Sequence, residues 1–237
     1  MQLKLKKKPK NAVVLEGFPG FGLVGTITTE FLIDHLDTDL IGKIWINELP
    51  CMVAIHEGKV VEPVGIFYNK KYNLVIVHGI TAVKGIEWNL ADIVAKMAND
   101  IEAKEIISLE GVGSAEVSEK PKVFYYASAE ENRKRFEKIK EIQPLKEGII
   151  MGVTGAMLVR AEKIPTSCIF ADTHSNMPDS KAAAKVIEML DKYLGLEVDY
   201  KPLLEQAEKF EGKLKNLLEK SQAAASEREK KTESYIG

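Results

Sequence analysis

The chain has 237 residues, the length of one large domain or of one domain with an appendage. Its 45% of hydrophobic and 29% of charged residues are ordinary for a globular protein, which excludes collagen and wholesale disorder. The net charge of -2 lacks the basic excess of a nucleic-acid binder, and no apolar run is long enough to span a membrane.

Several features favour a cytoplasmic protein. The lysine-rich start, residues 1–10, has no apolar stretch behind it and predicts no signal peptide; we expect a solvated lead-in to the first strand. Cys51 and Cys168 are too far apart to indicate a disulfide framework or a metal-binding pair, which is typical of a reducing compartment. No histidine pair has metal-ligand spacing, so we expect no metal site.

Short β-branched runs alternate with helical patterns along most of the chain, which predicts βαβ units and a largely parallel sheet. The predicted strands are Ala12–Leu15, Ile41–Ile46, Met52–Ile55, Val64–Phe67, Leu74–Val77, Ile106–Leu109, Val123–Tyr126, Gly148–Val153 and Ser167–Ala171. The predicted helices are Val24–His35, Trp88–Ile101, Ala129–Ile139, Gly155–Lys163 and Ser180–Leu194.

The region from Ile41 to Val77 departs from this alternation, because it has about four strands and no helix. We expect an antiparallel meander at one edge of the sheet there. The prediction for residues 1–198 is therefore a three-layer α/β domain with a mostly parallel sheet and an antiparallel portion. Residues 199–225 are predicted to be an amphipathic helical arm, and residues 226–237 a flexible tail.

A glycine-rich loop between the first strand and the first helix is the strongest local signal. Gly20, Gly22 and Gly25 have the spacing G-x-G-x-x-G, and Gly17 precedes them. Such a loop exposes backbone N–H groups at a helix N-terminus, where an anion is favoured. The bulky side chains of the same loop, Phe18, Pro19 and Phe21, weaken a dinucleotide interpretation. The alternative is that the glycines permit close packing while the phenylalanines contact a neighbour or another subunit.

Other candidates for chemistry are few. Asp172 and His174 follow a strand, at the position where α/β folds place their sites, and His78 ends another strand. A helix-entry loop, with Ser175 and Asn176 as helix caps, explains the first two equally well. Acidic residues also lie near element ends and could cluster, although one sequence cannot show it; they are Glu16, Glu48, Glu87 and Glu110.

The last 39 residues, 199–237, differ in composition and hold 16 charges, eight of each sign. Apolar and small residues recur there at steps of four and three, which predicts a heptad seam. Its members are Leu203, Ala207, Phe210, Leu214, Leu217, Ser221 and Ala224. An isolated helix would expose the larger of these side chains, so they must contact the chain's own domain, another subunit or an unfolded client.

Three segments, taken together, resemble the proteasome assembly chaperone family of the second-chaperone type, in particular its archaeal members. They are GFPGFGLVG followed by TITTEFLI, then GVTGAMLVRA, then PTSCIFADTHSNMPDSKAAAKVIEML. The resemblance covers about residues 10–195. It implies a fold similar to purine nucleoside phosphorylases without known catalysis, binding to proteasome α-subunits or α-rings without ATP, and self-association.

The resemblance also implies a C-terminal tail of the hydrophobic-Tyr-X type, which inserts between α-subunits. This chain departs from that ending, since Tyr235 stands third from the end, before Ile236 and Gly237. Because two apolar residues end a very polar tail, we expect them to dock on a partner. The predicted contact residues of the arm are Leu203, Phe210, Leu214 and Leu217.

The sequence therefore favours a non-enzymatic, ATP-independent chaperone-like protein that binds proteasome α-subunits, forms a homo-oligomer and uses no cofactor. The alternative is a phosphorylase- or hydrolase-like enzyme acting on a nucleoside or a phosphorylated small molecule. In that case the glycine loop would hold the anion, and Asp172, His174 or His78 would transfer protons.

Overall fold

The computed structural model describes residues 1–49, 53–56, 58–113, 120–173 and 177–205, together with residues 216 and 219. The strands are β1 (Gln2–Leu5), β2 (Val13–Gly17), β3 (Thr38–Trp45), β4 (Ala54–His56), β5 (Lys59–Val61), β6 (Val64–Asn69), β7 (Leu74–Gly79), β8 (Glu105–Gly113), β9 (Val123–Ala127), β10 (Ile142–Pro144) and β11 (Thr166–Thr173). The helices are α1 (Val24–His35), α2 (Glu87–Asp100), α3 (Glu130–Phe136), α4 (Gly152–Arg160), α5 (Ser180–Leu194) and α6 (Lys201–Glu205).

Nine strands form one mixed sheet in the order β1-β3-β6-β7-β2-β8-β11-β9-β10, and β4 pairs with β5 in a separate hairpin. The centre, β7-β2-β8-β11, is parallel, and so is the pair β9–β10. The pairs β1–β3, β3–β6, β6–β7 and β9–β11 are antiparallel. The predicted antiparallel meander is thus confirmed at one edge, while the sheet as a whole is mixed rather than mostly parallel.

Helices cover both faces of the sheet, which confirms the predicted three layers. On one face α1 and α5 bury apolar side chains such as Ile27, Phe31 and Ile187. On the other face α2 and α4 bury Leu90 and Met157. Each such side chain contributes roughly 1.5–3 kcal/mol when it leaves water. No helix of the described residues is both long and apolar enough to cross a membrane.

Local signals explain where the helices begin and end. The predicted bounds of α1 and α5 are confirmed. The cap of α5 is Asp179, whose carboxylate accepts a hydrogen bond from the Ala182 backbone N–H at 2.9 Å. The predicted caps, Ser175 and Asn176, lie outside the described residues. Gly195, at a φ of 68°, ends α5 in the left-handed conformation that favours glycine.

Two predictions of local structure are wrong. The apolar run Gly148–Val153 is not a strand: it is irregular as far as Met151, and α4 starts at Gly152 with a φ of 71°. The lysine-rich start contains a strand, β1, which pairs with β3 at the sheet edge. In β1 the exposed residues Gln2 and Lys4 alternate with the half-buried Leu3 and Leu5, and a lysine on an edge strand discourages strand pairing between molecules.

The first contact residue predicted for the arm belongs to the domain. Leu203 in α6 is only 2% exposed and packs in the same core as α1 and α5. The expectation that Leu203 contacts a partner is therefore wrong for this conformation, and the core extends past residue 198. The other predicted arm and tail residues lie outside the described residues; they are Phe210, Leu214, Leu217, Tyr235, Ile236 and Gly237.

Neighbouring leucines in α6 provide a matched test of this packing. Leu203→Ala is expected to lower the free energy of unfolding by about 2–5 kcal/mol, because it leaves a cavity in the core. Leu204→Ala should cost far less, since Leu204 is 44% exposed. Urea unfolding followed by circular dichroism measures both. Equal losses of stability in the two variants would contradict the placement of α6.

Candidate functional site

A cleft of about 900 Å³ opens at the carboxyl ends of the central parallel strands. The glycine loop after β2 forms one wall, together with the segment after β7. The ends of β8 and β11 line it with Glu110 and Asp172, and residues 147–153 complete it. This is the edge at which open α/β sheets place their ligand sites.

The glycines of the loop serve close packing. A Cβ atom at Gly25 would lie 2.3 Å from the carbonyl oxygen of Leu109, and one at Gly17 would lie 2.3 Å from that of Gly25. A Cβ at Gly22 would lie 2.5 Å from the Thr173 hydroxyl. The loop and the start of α1 thus touch β8 and β11 at distances that no other residue type allows.

The side chain of Glu110 occupies the place where the loop would receive an anion. A Cβ at Gly20 would lie 1.9 Å from Oε1 of Glu110, so the loop backbone rests directly on this carboxylate. The Gly111 backbone N–H donates to Oε1 at 3.2 Å, and the Thr154 hydroxyl donates to Oε2 at 3.3 Å. The Phe21 backbone N–H also bonds the carboxylate. The anion position is therefore filled from within the chain.

The two phenylalanines of the loop have different environments. Phe18 is 3% exposed and packs over Gly79, where a Cβ would lie 2.3 Å from its ring. The expectation that Phe18 contacts a neighbour or another subunit is therefore wrong, because the core of its own domain holds it. Phe21 is 37% exposed and lines the cleft.

A second carboxyl group, that of Glu16, lies beside Glu110. The β2–β8 register aligns Glu16 with Ser108, two residues before Glu110, so both carboxyl groups are on the same face of the sheet. Glu16 is fully buried, and neither of its oxygens has a hydrogen-bond partner of ordinary geometry among the described residues. Burial without a counter-ion strongly disfavours the charged form.

Both acids titrate near neutrality. Burial raises the pKa of Glu16 to about 7, and the nearby hydroxyls of Ser108 and Thr154 only partly oppose this shift. Burial, with the charge of Glu16, raises the pKa of Glu110 to about 8. Burial and the same two acids also raise the pKa of Cys168, on the adjacent strand β11, well above its ordinary value. This arrangement holds protons and keeps the thiol unreactive.

The predicted catalytic residues do not come together. Asp172 lines the cleft and accepts a hydrogen bond from the Lys122 backbone N–H. His78 is buried against the middle of α1, where Nε2 lies 2.8 Å from Glu30 and Nδ1 lies 2.8 Å from the Thr29 hydroxyl. His174 lies outside the described residues. Within the described part of the chain, no group of acidic, histidine or cysteine side chains could hold a metal ion.

The acid pair was only partly visible in the sequence. Glu16 and Glu110 each end an apolar strand as part of a Leu-Glu-Gly triplet, and this repeated triplet is the signal that could have paired them. Glu87 lines the same cleft. Glu48 does not: its carboxylate lies 3.5 Å from the N-terminal amine.

Comparisons with known proteins agree over almost the whole chain. The sequence profile of the PAC2 family matches residues 14–218. PbaA of Pyrococcus furiosus, an archaeal homolog of proteasome-assembly chaperone, is 32% identical, with a TM-score of 0.86 over 94% of this chain and 98% of PbaA. PbaB of the same organism, an archaeal proteasome activator, is 23% identical, with a TM-score of 0.77 over 91% and 98% of the two chains; this likeness shows the fold alone. An uncharacterized protein of Methanocaldococcus jannaschii is 28% identical over 98% of this chain and 96% of its own length.

The close packing of the glycine loop can be tested with two alanine substitutions. Gly25→Ala is expected to lower the free energy of unfolding by at least about 1–3 kcal/mol, because the new methyl group would clash with the backbone of β8. Gly113→Ala is the matched control, since a Cβ there meets nothing within 4 Å. Thermal and urea unfolding measure both. A neutral Gly25→Ala would show that the loop does not pack as described.

The buried acids predict a pH dependence of stability. Because the folded-state pKa of Glu16 is about 7, against an ordinary 4.5, the folded protein holds the extra proton between these values. Its contribution to the free energy of unfolding is therefore full below about pH 4.5 and is lost as the pH rises through 7, a change of about 3 kcal/mol.

Urea unfolding at pH values across this range measures the loss. Glu16→Gln should flatten the decline, whereas Glu131→Gln, an exposed position on α3, should leave it unchanged. If the Glu16→Gln curve runs parallel to that of the unmodified protein, Glu16 does not titrate as inferred.

Proposed function

This chain belongs to the PAC2 family, and we propose that it is an ATP-independent, chaperone-like protein of the cytoplasm that binds proteasome α-subunits or α-rings. In this role it assists assembly or delivers client proteins. The observation that carries the proposal is the likeness to PbaA, at 32% identity over nearly all of both chains.

Exposed apolar side chains at the cleft support a role in binding polypeptides. Ile149 is 90% exposed and Met151 60%, and both line the cleft beside the partly exposed ring of Phe21. Trp88 on α2 is 51% exposed. Large apolar and aromatic side chains at a surface are typical of protein interfaces. They also support self-association, which we propose as part of the same function.

The C-terminal tail supplies a second contact in this proposal. Residues 226–237 end in Tyr235, Ile236 and Gly237 after a run rich in charges. An apolar tip on a polar segment is suited to docking, because a short anchor can bind a pocket that the domain itself cannot reach. The tyrosine stands one place earlier than in the hydrophobic-Tyr-X ending, so we expect the tip to seat differently in its pocket.

The closed glycine loop supports a non-enzymatic role. In the alternative phosphorylase- or hydrolase-like enzyme, this loop would have to receive a phosphate, yet the carboxylate of Glu110 already bonds its backbone. A phosphate would have to displace this side chain from the backbone N–H groups that it already bonds. His78, the candidate base, is engaged by Glu30 and Thr29 away from the cleft.

Binding to purified α-rings tests the proposal. The full chain should bind, and removal of residues 226–237 should weaken binding about tenfold or more, because a terminal anchor is lost. The double variant Tyr235→Ala/Ile236→Ala should match the truncation, whereas Ser234→Ala should bind like the full chain.

Surface plasmon resonance without nucleotide measures all four proteins. Equal binding with and without the tail would refute the role of the tail alone. Failure of the full chain to bind α-subunits and α-rings would refute the proposed function.

A further inference from the structure

We propose that the cleft binds an organic cation, an alkylguanidinium or alkylammonium group, whose charged head lies against Glu110 with Glu16 behind it. This inference goes beyond proteasome binding and does not depend on it. The cation can belong to a small molecule or to an arginine or lysine side chain of a polypeptide, because the recognising chemistry is the same.

Glu16 lacks charged hydrogen-bond donors. Both of its carboxylate oxygens are buried without a partner of ordinary geometry among the described residues, and the side-chain donors beside them are the neutral hydroxyls of Ser108 and Thr154. Buried polar groups in proteins are nearly always paired, so unpaired acceptors next to a cleft indicate that something else supplies the donors or the charge. A guanidinium group carries five N–H donors and no acceptor.

Glu110 lines the cleft and has only neutral hydrogen-bond donors. Its carboxyl group accepts three hydrogen bonds, two from backbone N–H groups and one from the hydroxyl of Thr154. Two carboxylates offer about eight lone-pair sites when ionised, many more than these three donors fill. The chain thus provides only neutral donors that hold Glu110 in place, and a bound cation would supply the counter-charge that its ionised form lacks.

The cleft has more acidic than basic residues. Four acidic residues line it, against the two lysines Lys84 and Lys122, and Glu16 lies behind the wall; Glu110 and Glu16 add negative charge as they lose their protons. The lining acids are Glu87, Glu110, Glu147 and Asp172. A cleft with acidic lining concentrates cations and repels anions.

The cleft also has an apolar part beside Glu110. Its apolar lining residues include Phe21, Phe124, Leu145 and Val153. An alkyl stem can pack against these side chains, and an aromatic face attracts a cation directly. The cleft therefore fits an organic cation better than a hydrated metal ion, for which the described residues offer no ligand cluster.

The acid pair gives this site a definite pH dependence. Binding of a cation favours the ionised carboxylates, so it releases protons and should tighten as the pH rises toward about 8. The groups that face Glu110 from neighbouring elements, or line the cleft with it, are Glu16 on β2, Cys168 and Asp172 on β11, Glu87 on α2, Lys84, Lys122 and Glu147. A neutral ligand would show no such tightening.

Calorimetric titration with butylguanidinium chloride tests the proposal on the full chain. We expect saturable binding at millimolar concentration, none for the uncharged isostere butylurea, and an affinity that rises several-fold between about pH 6 and pH 8. Glu110→Gln and Glu16→Gln should each weaken binding about tenfold or more. Glu131→Gln, on the exposed face of α3, is the control and should bind normally.

A blocked Gly-Leu-Arg-Leu-Gly peptide, compared with its citrulline counterpart, separates the two sources. Tighter binding of the arginine peptide than of butylguanidinium would assign the site to a polypeptide side chain, and weaker binding of the peptide would assign it to a small molecule. If Glu110→Gln fails to fold, the test rests on the affinity of Glu16→Gln for butylguanidinium and on the pH dependence of binding by the unmodified protein.

Absence of saturable binding by both cationic probes would overturn the proposal, as would equal binding of butylurea. If Glu16→Gln loses cation binding but still binds α-rings like the unmodified protein, the cation site is not required for the proposed function.

Discussion

The contact between the glycine loop and the carboxyl group of Glu110 fixes the position of the loop at the carboxyl ends of the central parallel strands. Gly20 rests on the carboxylate, and the backbone N–H groups of Phe21 and Gly111 bond it. The same loop enters α1, whose glycine at position 25 touches β8. One side chain thus joins β8 to the loop and satisfies backbone donors at a helix entry, which would otherwise need water or an external anion.

The contact explains why a loop with the glycine spacing of a nucleotide-binding motif packs against its own domain. The spacing of the glycines is that of an anion-binding loop, but in this structure they allow close packing against β8 and β11. Glu110 bonds the loop backbone, and the lining of the cleft beside it is partly acidic and partly apolar. Such a surface suits contacts with cationic and apolar groups, which are plentiful on other polypeptides.

Much of the fold was predictable because periodicity and caps are local properties. The bounds of α1 and α5 follow from their sequence, and the meander follows from the absence of helical patterns between residues 41 and 77. The run Gly148–Val153 was wrongly predicted because exposed apolar residues at the rim of the cleft have the sequence pattern of a buried strand, although Ile149 is 90% exposed. Strand β1 was missed because half of its residues are exposed and its pairing with β3 is not local.

The candidate site was less predictable, because it depends on register. Glu16 and Glu110 are 94 residues apart in the chain, and only the alignment of β2 with β8 brings them together. The sequence placed both near strand ends but could not pair them, nor could it show that Phe18 turns inward and Phe21 outward. Leu203 was hard to place for a related reason: a heptad pattern predicts an apolar helix face but not the surface against which that face packs.

The account is tested most directly by titrating the protein with inorganic phosphate and with a nucleotide while recording the backbone amide signals of residues 20–25 by NMR. Since Glu110 already bonds this loop, the account predicts that these signals stay in place up to millimolar ligand. Saturable shifts of these amides would show that the loop receives an external anion, and would contradict the account.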